Sequence, residues 1–243
     1  GTIPANMNAP SVPQAAAPLR GISSMATKQL LADLVSAWQA AGGTPAAIES
    51  VGGVDAAKRV QSGEAFDLVF LASDALAKLE AAGCLVPGSR VDLVLSGTSV
   101  AVPAGATPPD ISSEEAVRAA VLAAPSVSYS TGPSGVALAK MFERWGIADQ
   151  VKGKIVTPPP GTPVGSLVAK GEVALGFQQL SELIHVEGIA IVGPLPAAIA
   201  IDTIFSAAIV QGTARVADAR ALLAFMASPA AAEAKRRQGM QPV

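Results

Sequence analysis

The 243-residue sequence predicts an α/β fold in two similar lobes, each a mainly parallel sheet flanked by helices, with a ligand cleft between them. Three observations carry that expectation. Short β-branched or apolar runs alternate with stretches whose apolar residues recur at spacings of three and four, the pattern of βαβ units. The pattern stops at a Gly- and Pro-rich segment, 105–110, and then restarts. One unit also recurs: strand, Ser23-Ser24, helix, Trp38 and Gly is matched by strand, Ser130 to Ser134, helix, Trp145 and Gly.

The elements follow in order. A first strand, 19–23, leads into a helix that places Leu30, Leu31, Leu34, Val35 and Trp38 on one face and stops at Gly42-Gly43. A second strand, 46–50, leads through Gly52-Gly53 into a short helix ending near Val60. A third, 67–72, precedes a helix capped by Asp74. Residues 91–102 form a longer extended stretch ended by Pro103. After the restart come a helix over 113–123, a strand over 126–130, and a helix carrying Leu138, Met141, Phe142 and Trp145 and stopped by Gly146. Strand 154–157, helix 163–170 and strand 173–177 follow. Residues 201–210 are extended again, and helices over 216–226 and 229–238 close the chain. The two long extended stretches are expected to cross between lobes. That gives a first lobe of 18–97 and 205–243, a second of 98–204, and a flexible tail over 1–17.

Half of the residues are apolar, 15% are charged and 4% are aromatic, so the core is built from Ala, Val, Leu and Ile and the chain is not disordered. Seventeen basic and nineteen acidic residues give a net charge of −2 with no basic stripe, which argues against nucleic acid as a partner. The mean hydropathy is +0.44, yet no apolar run reaches the roughly 18 residues a membrane span needs, so a soluble protein is expected. Cys84 and His185 are each the only residue of their kind. No internal disulfide and no multi-thiolate or multi-imidazole metal site can form, and neither a metal nor a cofactor is expected.

The residues that carry chemistry are small and hydroxyl residues at helix starts. Ser23-Ser24 precedes the first helix and Gly52-Gly53 the second; Pro133-Ser134-Gly135 opens the helix of the second lobe, and Thr162-Pro163-Val164 a later one. Free N–H groups at a helix start carry about half a positive charge, which makes an anion site without Lys or Arg. Each Ser or Thr could instead merely cap its own helix; convergence on one cleft is what would distinguish the two. Gln178 and Gln179 follow a strand and offer amide donors and acceptors to a cleft ligand, or form a solvated turn. Tyr129, Trp38 and Trp145 read as core, Arg20 as surface, and Lys235-Arg236-Arg237 as a solvated face. His185 is a general base by residue type, but no carboxylate pair or motif compels a catalytic assignment, so none is made.

Four segments resemble the type II periplasmic solute-binding proteins, in particular the molybdate-binding-protein-like family. They are Ile22-Ser23-Ser24-Met25-Ala26, the run from Gln61 to Val69, the run from Ala169 to Phe177, and Phe225-Met226-Ala227-Ser228-Pro229-Ala230. The resemblance spans nearly everything from Pro18 onward. It implies the type II periplasmic-binding fold, a periplasmic or otherwise extracytoplasmic monomer, and a small anion delivered to the membrane subunits of an ABC importer. It also implies that Ser23 and Ser24, Gly52 and Gly53, residues 133–135 and residues 161–164 hold the ligand. Two departures stand out: Gly52-Gly53-Val54 replaces the family's serine pair, and Gln179 stands where its tyrosine would fall. A small organic acid therefore suits the site better than molybdate. Residues 176–183, Gly-Phe-Gln-Gln-Leu-Ser-Glu-Leu, resemble equally a divergent branch that includes a periplasmic aconitate isomerase. That implies an alternative function as an isomerase of a small unsaturated polycarboxylic acid, with His185, Tyr129, Glu49 or a serine to move the proton.

Overall fold

The computed structural model describes residues 17–159 and 161–243, so the expected tail lies almost wholly outside the described residues. In chain order, β1 (Leu19–Ser24) runs through the 3-10 turn Met25–Thr27 into α1 (Lys28–Ala40). β2 (Ala46–Val51) leads into α2 (Gly53–Gln61), and β3 (Leu68–Ala72) into α3 (Ser73–Ala81). The long β4 (Val91–Pro103) is followed by α4 (Glu114–Ala123), β5 (Val127–Tyr129), α5 (Pro133–Arg144), α6 (Ala148–Val151) and α7 (Val164–Ala169). Then come β6 (Leu175–Gln179), α8 (Leu180–Leu183), β7 (Ile189–Pro194), β8 (Asp202–Ile209), α9 (Val216–Ala227), α10 (Ala232–Arg237) and β9 (Gln241–Pro242).

The strands form one curled sheet in the order β2-β1-β3-β8-β4-β6-β5, with β7 and β9 also pairing β4. Pairing is parallel in β2-β1-β3 and in β5-β6, and antiparallel wherever β4 or β8 takes part. The two lobes are thus joined by antiparallel ribbons, which the βαβ pattern of the sequence did not announce.

Alternation along the strands sorts side chains onto the two faces. In β3, Leu68 and Phe70 face the layer of α1 and α9, while Val69 and Leu71 face α2 and α3. Every residue of β3 is buried, as expected of a strand covered on both sides. Burial of Phe70 alone stabilises the lobe by roughly 1.5–3 kcal/mol. The second lobe repeats the scheme, with Val100, Val102, Leu175 and Phe177 on one face and Ala101 with Val164, Leu167 and Val168 on the other. Gly42, at φ +88°, ends α1 in the left-handed conformation that a side chain would strain. No described helix is long and apolar enough to cross a membrane.

Several local expectations change. Residues 154–157 contribute a single bridge, Ile155 to Val127, because Lys152–Lys154 coils into a 3-10 turn and the Lys154 ammonium donates to the carbonyls of Leu122 and Ala124 at the end of α4. Asp74 lies in the first turn of α3, with Ala72 at the cap position. Lys235 is 1% exposed rather than on a solvated face; only Arg236 and Arg237 of that run reach solvent, and burial pushes the Lys235 amine down. A true side-chain cap occurs at Ser113, whose hydroxyl accepts from Ala116 N–H at the start of α4, remote from the lobe junction. Ser113→Ala is expected to cost about 1 kcal/mol in denaturant unfolding and to leave ligand affinity unchanged.

Candidate functional site between the lobes

Strand direction fixes where the two lobes face each other. β1 and β3 are parallel, and both β3 and β4 are antiparallel to β8, so β1, β3 and β4 run the same way. β6 is antiparallel to β4, and β5 is parallel to β6. The carboxyl ends of β1, β2 and β3 therefore point toward the second lobe, and those of β5 and β6 point back toward the first. In open α/β sheets that end is where ligands bind. Ala72 at the end of β3 is level with Phe205 and through it with Val94; Gln179 at the end of β6 is level with Thr98. Four residues of β4 span the gap, about 13 Å at roughly 3.3 Å each. The starts of α1 and α2 in the first lobe and of α5 in the second therefore lie at sheet ends that face each other.

β4 turns polar where it passes between the two lobes. Val94 belongs to the core of the first lobe and Val100 to that of the second, while Ser96 and Thr98 between them on the same face are polar. Ser96 donates to Gln179 Oε1 at 2.6 Å, and Gln179 Nε2 donates to Thr203 of β8 at 3.4 Å. Gln179 thus ties three strands at the junction. It lies inside β6, not after it, and like Gln178 it is 3% exposed, so the solvated-turn alternative for the pair does not hold. Gln178 Oε1 accepts from Gly165 N–H at 3.3 Å near the start of α7.

At the facing end of the first lobe Ser24 and Gly53 lie together, and a side chain on Gly53 would stand 3.7 Å from Ser24 Cβ. Ser23 is adjacent but committed elsewhere: its hydroxyl donates to Ser24 O and shares a 2.7 Å hydrogen bond with Ser50. Gly52 and Gly53 open α2 without any side-chain cap, although Asp55 in the first turn offsets part of the helix dipole. In the second lobe, Pro133 is the first residue of α5, with Gly132 at the cap and no side-chain cap bond. Ser134 is fully buried, 3.2 Å from Ser130 Oγ. Gly135 packs against the Ser130 carbonyl so closely that a Cβ there would lie 1.5 Å from its oxygen. α7 begins one residue later than expected: Pro163 is its cap, Thr162 precedes it half-exposed, and Val164 is buried against Gly176.

The capping alternative fails at these helix starts. Neither Ser24 nor Thr27 makes a cap hydrogen bond, and Gly52, Gly132 and Pro163 have no side chain to make one. Three buried side-chain oxygens among the described residues have no partner: Ser24 Oγ, Thr27 Oγ1 and Thr98 Oγ1. Buried polar groups are normally paired, and an orphan costs about 1–3 kcal/mol. Ser24 ends β1, Thr98 lies in β4 between the two cores, and Thr27 stands at the cap position of α1 without a cap bond. Thr27 and Thr98 escaped the sequence reading, because a threonine in a helix start or a strand carries no signal until its partners can be counted.

Of the proton-moving groups considered above, His185 and Glu49 are held by other side chains, while the Tyr129 ring lies beside Gly135. His185 Nε2 donates to Gln238 Oε1 at 2.9 Å, and Gln238 in turn donates to Asp33. Glu49 is paired with Arg59, which also holds Glu64, and this holds both carboxyls below their usual range. Tyr129 packs edge-on to Phe142, and burial pushes its phenol up. A fourth group was missed: Glu182 of α8, whose carboxyl burial pushes up to about 7. Its folded pKa stands above the ordinary 4.5, so the native state keeps an extra proton between those values and stability falls as pH rises through that window. Glu182→Gln removes the penalty. It is expected to raise stability by on the order of 2 kcal/mol at pH 8 and far less near pH 4.5, as melting curves at the two pH values will show.

Residues 19–241 match the family model described as bacterial extracellular solute-binding protein. An aconitate isomerase from a Pseudomonas species is 40% identical over 212 residues, 86% of this chain and 77% of that protein. The periplasmic molybdate-binding protein of Azotobacter vinelandii superposes with a TM-score of 0.74 at 22% identity, over 91% of this chain and 98% of that one. The sulfate-binding protein SubI from Mycobacterium tuberculosis H37Rv gives 0.73 at 16% identity, over 94% and 88% of the two chains. At these identities the two solved structures show a shared two-lobed fold.

Proposed function

The chain belongs to the bacterial extracellular solute-binding protein family, and from that premise we propose that it closes its two lobes on the carboxylate groups of a small organic acid. The observation that carries this reading is the set of unpartnered hydroxyls at uncapped helix starts and on the groove floor. None of the residues placed at the groove is Lys or Arg, so the ligand's charge is met by backbone N–H groups, dipoles and hydroxyls. Gly52 and Gly53 present backbone donors alone, and the buried Gln178 adds a side-chain amide, a set that suits planar carboxylates better than a tetrahedral oxyanion. In this role the loaded protein passes its ligand outside the cytoplasm to the membrane subunits of an ABC importer.

A second reading is favoured by the 40% identity to an aconitate isomerase: the same groove interconverts the acid it binds. A thermal-shift series with cis-aconitate, trans-aconitate, citrate, molybdate and sulfate tests the first. Ligand at about 100 times its dissociation constant raises stability by about 2.7 kcal/mol. A shift with an aconitate and none with molybdate is expected; a response to molybdate or sulfate alone would sink the organic-acid assignment. Proton NMR of either aconitate with the protein separates the readings, since a pure receptor leaves the spectrum unchanged.

A further inference from the structure

We propose that Glu182 carries the proton in a 1,3-allylic shift of the bound unsaturated acid, an inference that rests on the isomerase reading above. The placement comes from the contacts of α8. Successive residues of a helix point about 100° apart. Leu180 and Ile184 point one way, onto Gly239 beyond α10. Ser181 points toward the first lobe, where its hydroxyl donates to Ala26 O at 2.8 Å, two residues beyond Ser24. Leu183 points into the second lobe, against Gly165 of α7 and the core that contains Val164. The direction left for Glu182 lies between those of Ser181 and Leu183 and opposite the C-terminal helix. It opens on the gap between Ala26 of one lobe and α7 of the other. There the carboxyl makes no hydrogen bond or ion pair with any described residue, and it remains partly exposed.

The chemistry needs one such group. An aconitate has a methylene and a vinylic CH on either side of one carboxyl-bearing carbon. The Glu182 carboxylate takes a proton from the methylene, and the electron pair of that C–H bond becomes part of an allylic anion conjugated with the carboxylates. Glu182 then returns its proton to the former vinylic carbon, so the double bond has moved by one position. One proton leaves and one arrives; nothing is oxidised or reduced, and no co-reactant is required. A base and an acid of near-neutral strength serve both halves best, and burial gives this carboxyl that strength. The same burial explains how a carboxyl sits beside an anionic ligand, because part of the population is neutral at pH 7. Uncapped N–H groups at α2 and α5 are placed to stabilise the charge that spreads onto the substrate carboxylates.

The test uses the whole protein, its Glu182→Gln and Glu182→Asp variants, and trans-aconitate in deuterated water. The parent is expected to isomerise the acid and exchange its methylene hydrogens. Glu182→Gln is expected to bind it within about threefold of the parent and to lose roughly 10²–10⁴-fold in kcat and in exchange. Glu182→Asp keeps the acid but shortens its reach, and should regain part of both. Turnover by Glu182→Gln within threefold of the parent would remove Glu182 from the role and leave the isomerase reading standing. Loss of binding together with turnover would make Glu182 a ligand-holding group instead. A parent that binds trans-aconitate without isomerisation or exchange would overturn the isomerase reading itself, and this proposal with it.

Discussion

Thr98→Val and Ser24→Ala are each expected to make the empty protein more stable and its grip on ligand weaker. Both hydroxyls are buried with no hydrogen-bond partner among the described residues, and removing such an orphan returns about 1–3 kcal/mol of desolvation cost. Val matches Thr in shape, so the strand pairing of Thr98 with Gln179 is undisturbed. With a carboxylate in the groove, each hydroxyl donates a charge-assisted hydrogen bond whose loss costs about 1.5–3 kcal/mol. The two residues sit on different elements, so their effects should nearly add. The double variant is expected to lose about 3–5 kcal/mol, roughly 150- to 5,000-fold in Kd. Calorimetric titration together with unfolding of the empty protein checks both signs. Equal affinity in the double variant would mean that the orphans do not face the ligand.

Gly135→Ala carries the second large effect. A Cβ at this position would stand 1.5 Å from the Ser130 carbonyl oxygen and 2.7 Å from its carbon. Those are backbone atoms, so no rotamer change relieves the overlap; the turn between β5 and α5 must move. A stability loss of about 3 kcal/mol or more is expected, at the upper end for overpacking. Binding should fall further than stability, because the displaced turn carries Ser134 and the first N–H groups of α5. Gly53→Ala is the control: its Cβ meets only ordinary contacts with Ser24 and Leu71, so unfolding should stay close to the parent. Similar melting of both variants would show that the turn at Ser130 yields to a Cβ at little cost.

The element pattern was readable because strands and helices with one buried face leave period-two and period-three-to-four traces. The repeated Ser-helix-Trp-Gly units marked α1 and α5 for the same reason. Register was not readable. Gln178 and Gln179 break the apolar run of β6, and only their pairing with Thr98 and Ser99 shows that the strand continues through them. Ser96 and Thr98 resemble an exposed stretch of β4 until both cores are seen to end beside them. Glu182 looks like a surface residue of a short helix, because a lone acid between Ser181 and Leu183 gives no sign of the burial that tunes it. Lys235 misled for a related cause: a run of three cations reads as one solvated face, yet a helix turns 100° per residue and sends the first of them inward.

The β3–β8 pairing joins residues 68–72 to 205–209, and β8 also covers the first half of β4. A chain emerging from its amino end therefore carries β1, β2 and β3 with an open, wholly apolar edge until nearly the last forty residues appear. The stretch between the two ribbon strands is continuous in sequence and can condense on its own. Synthesis order thus favours the middle of the molecule as the first to become compact, with the outer portion completed last.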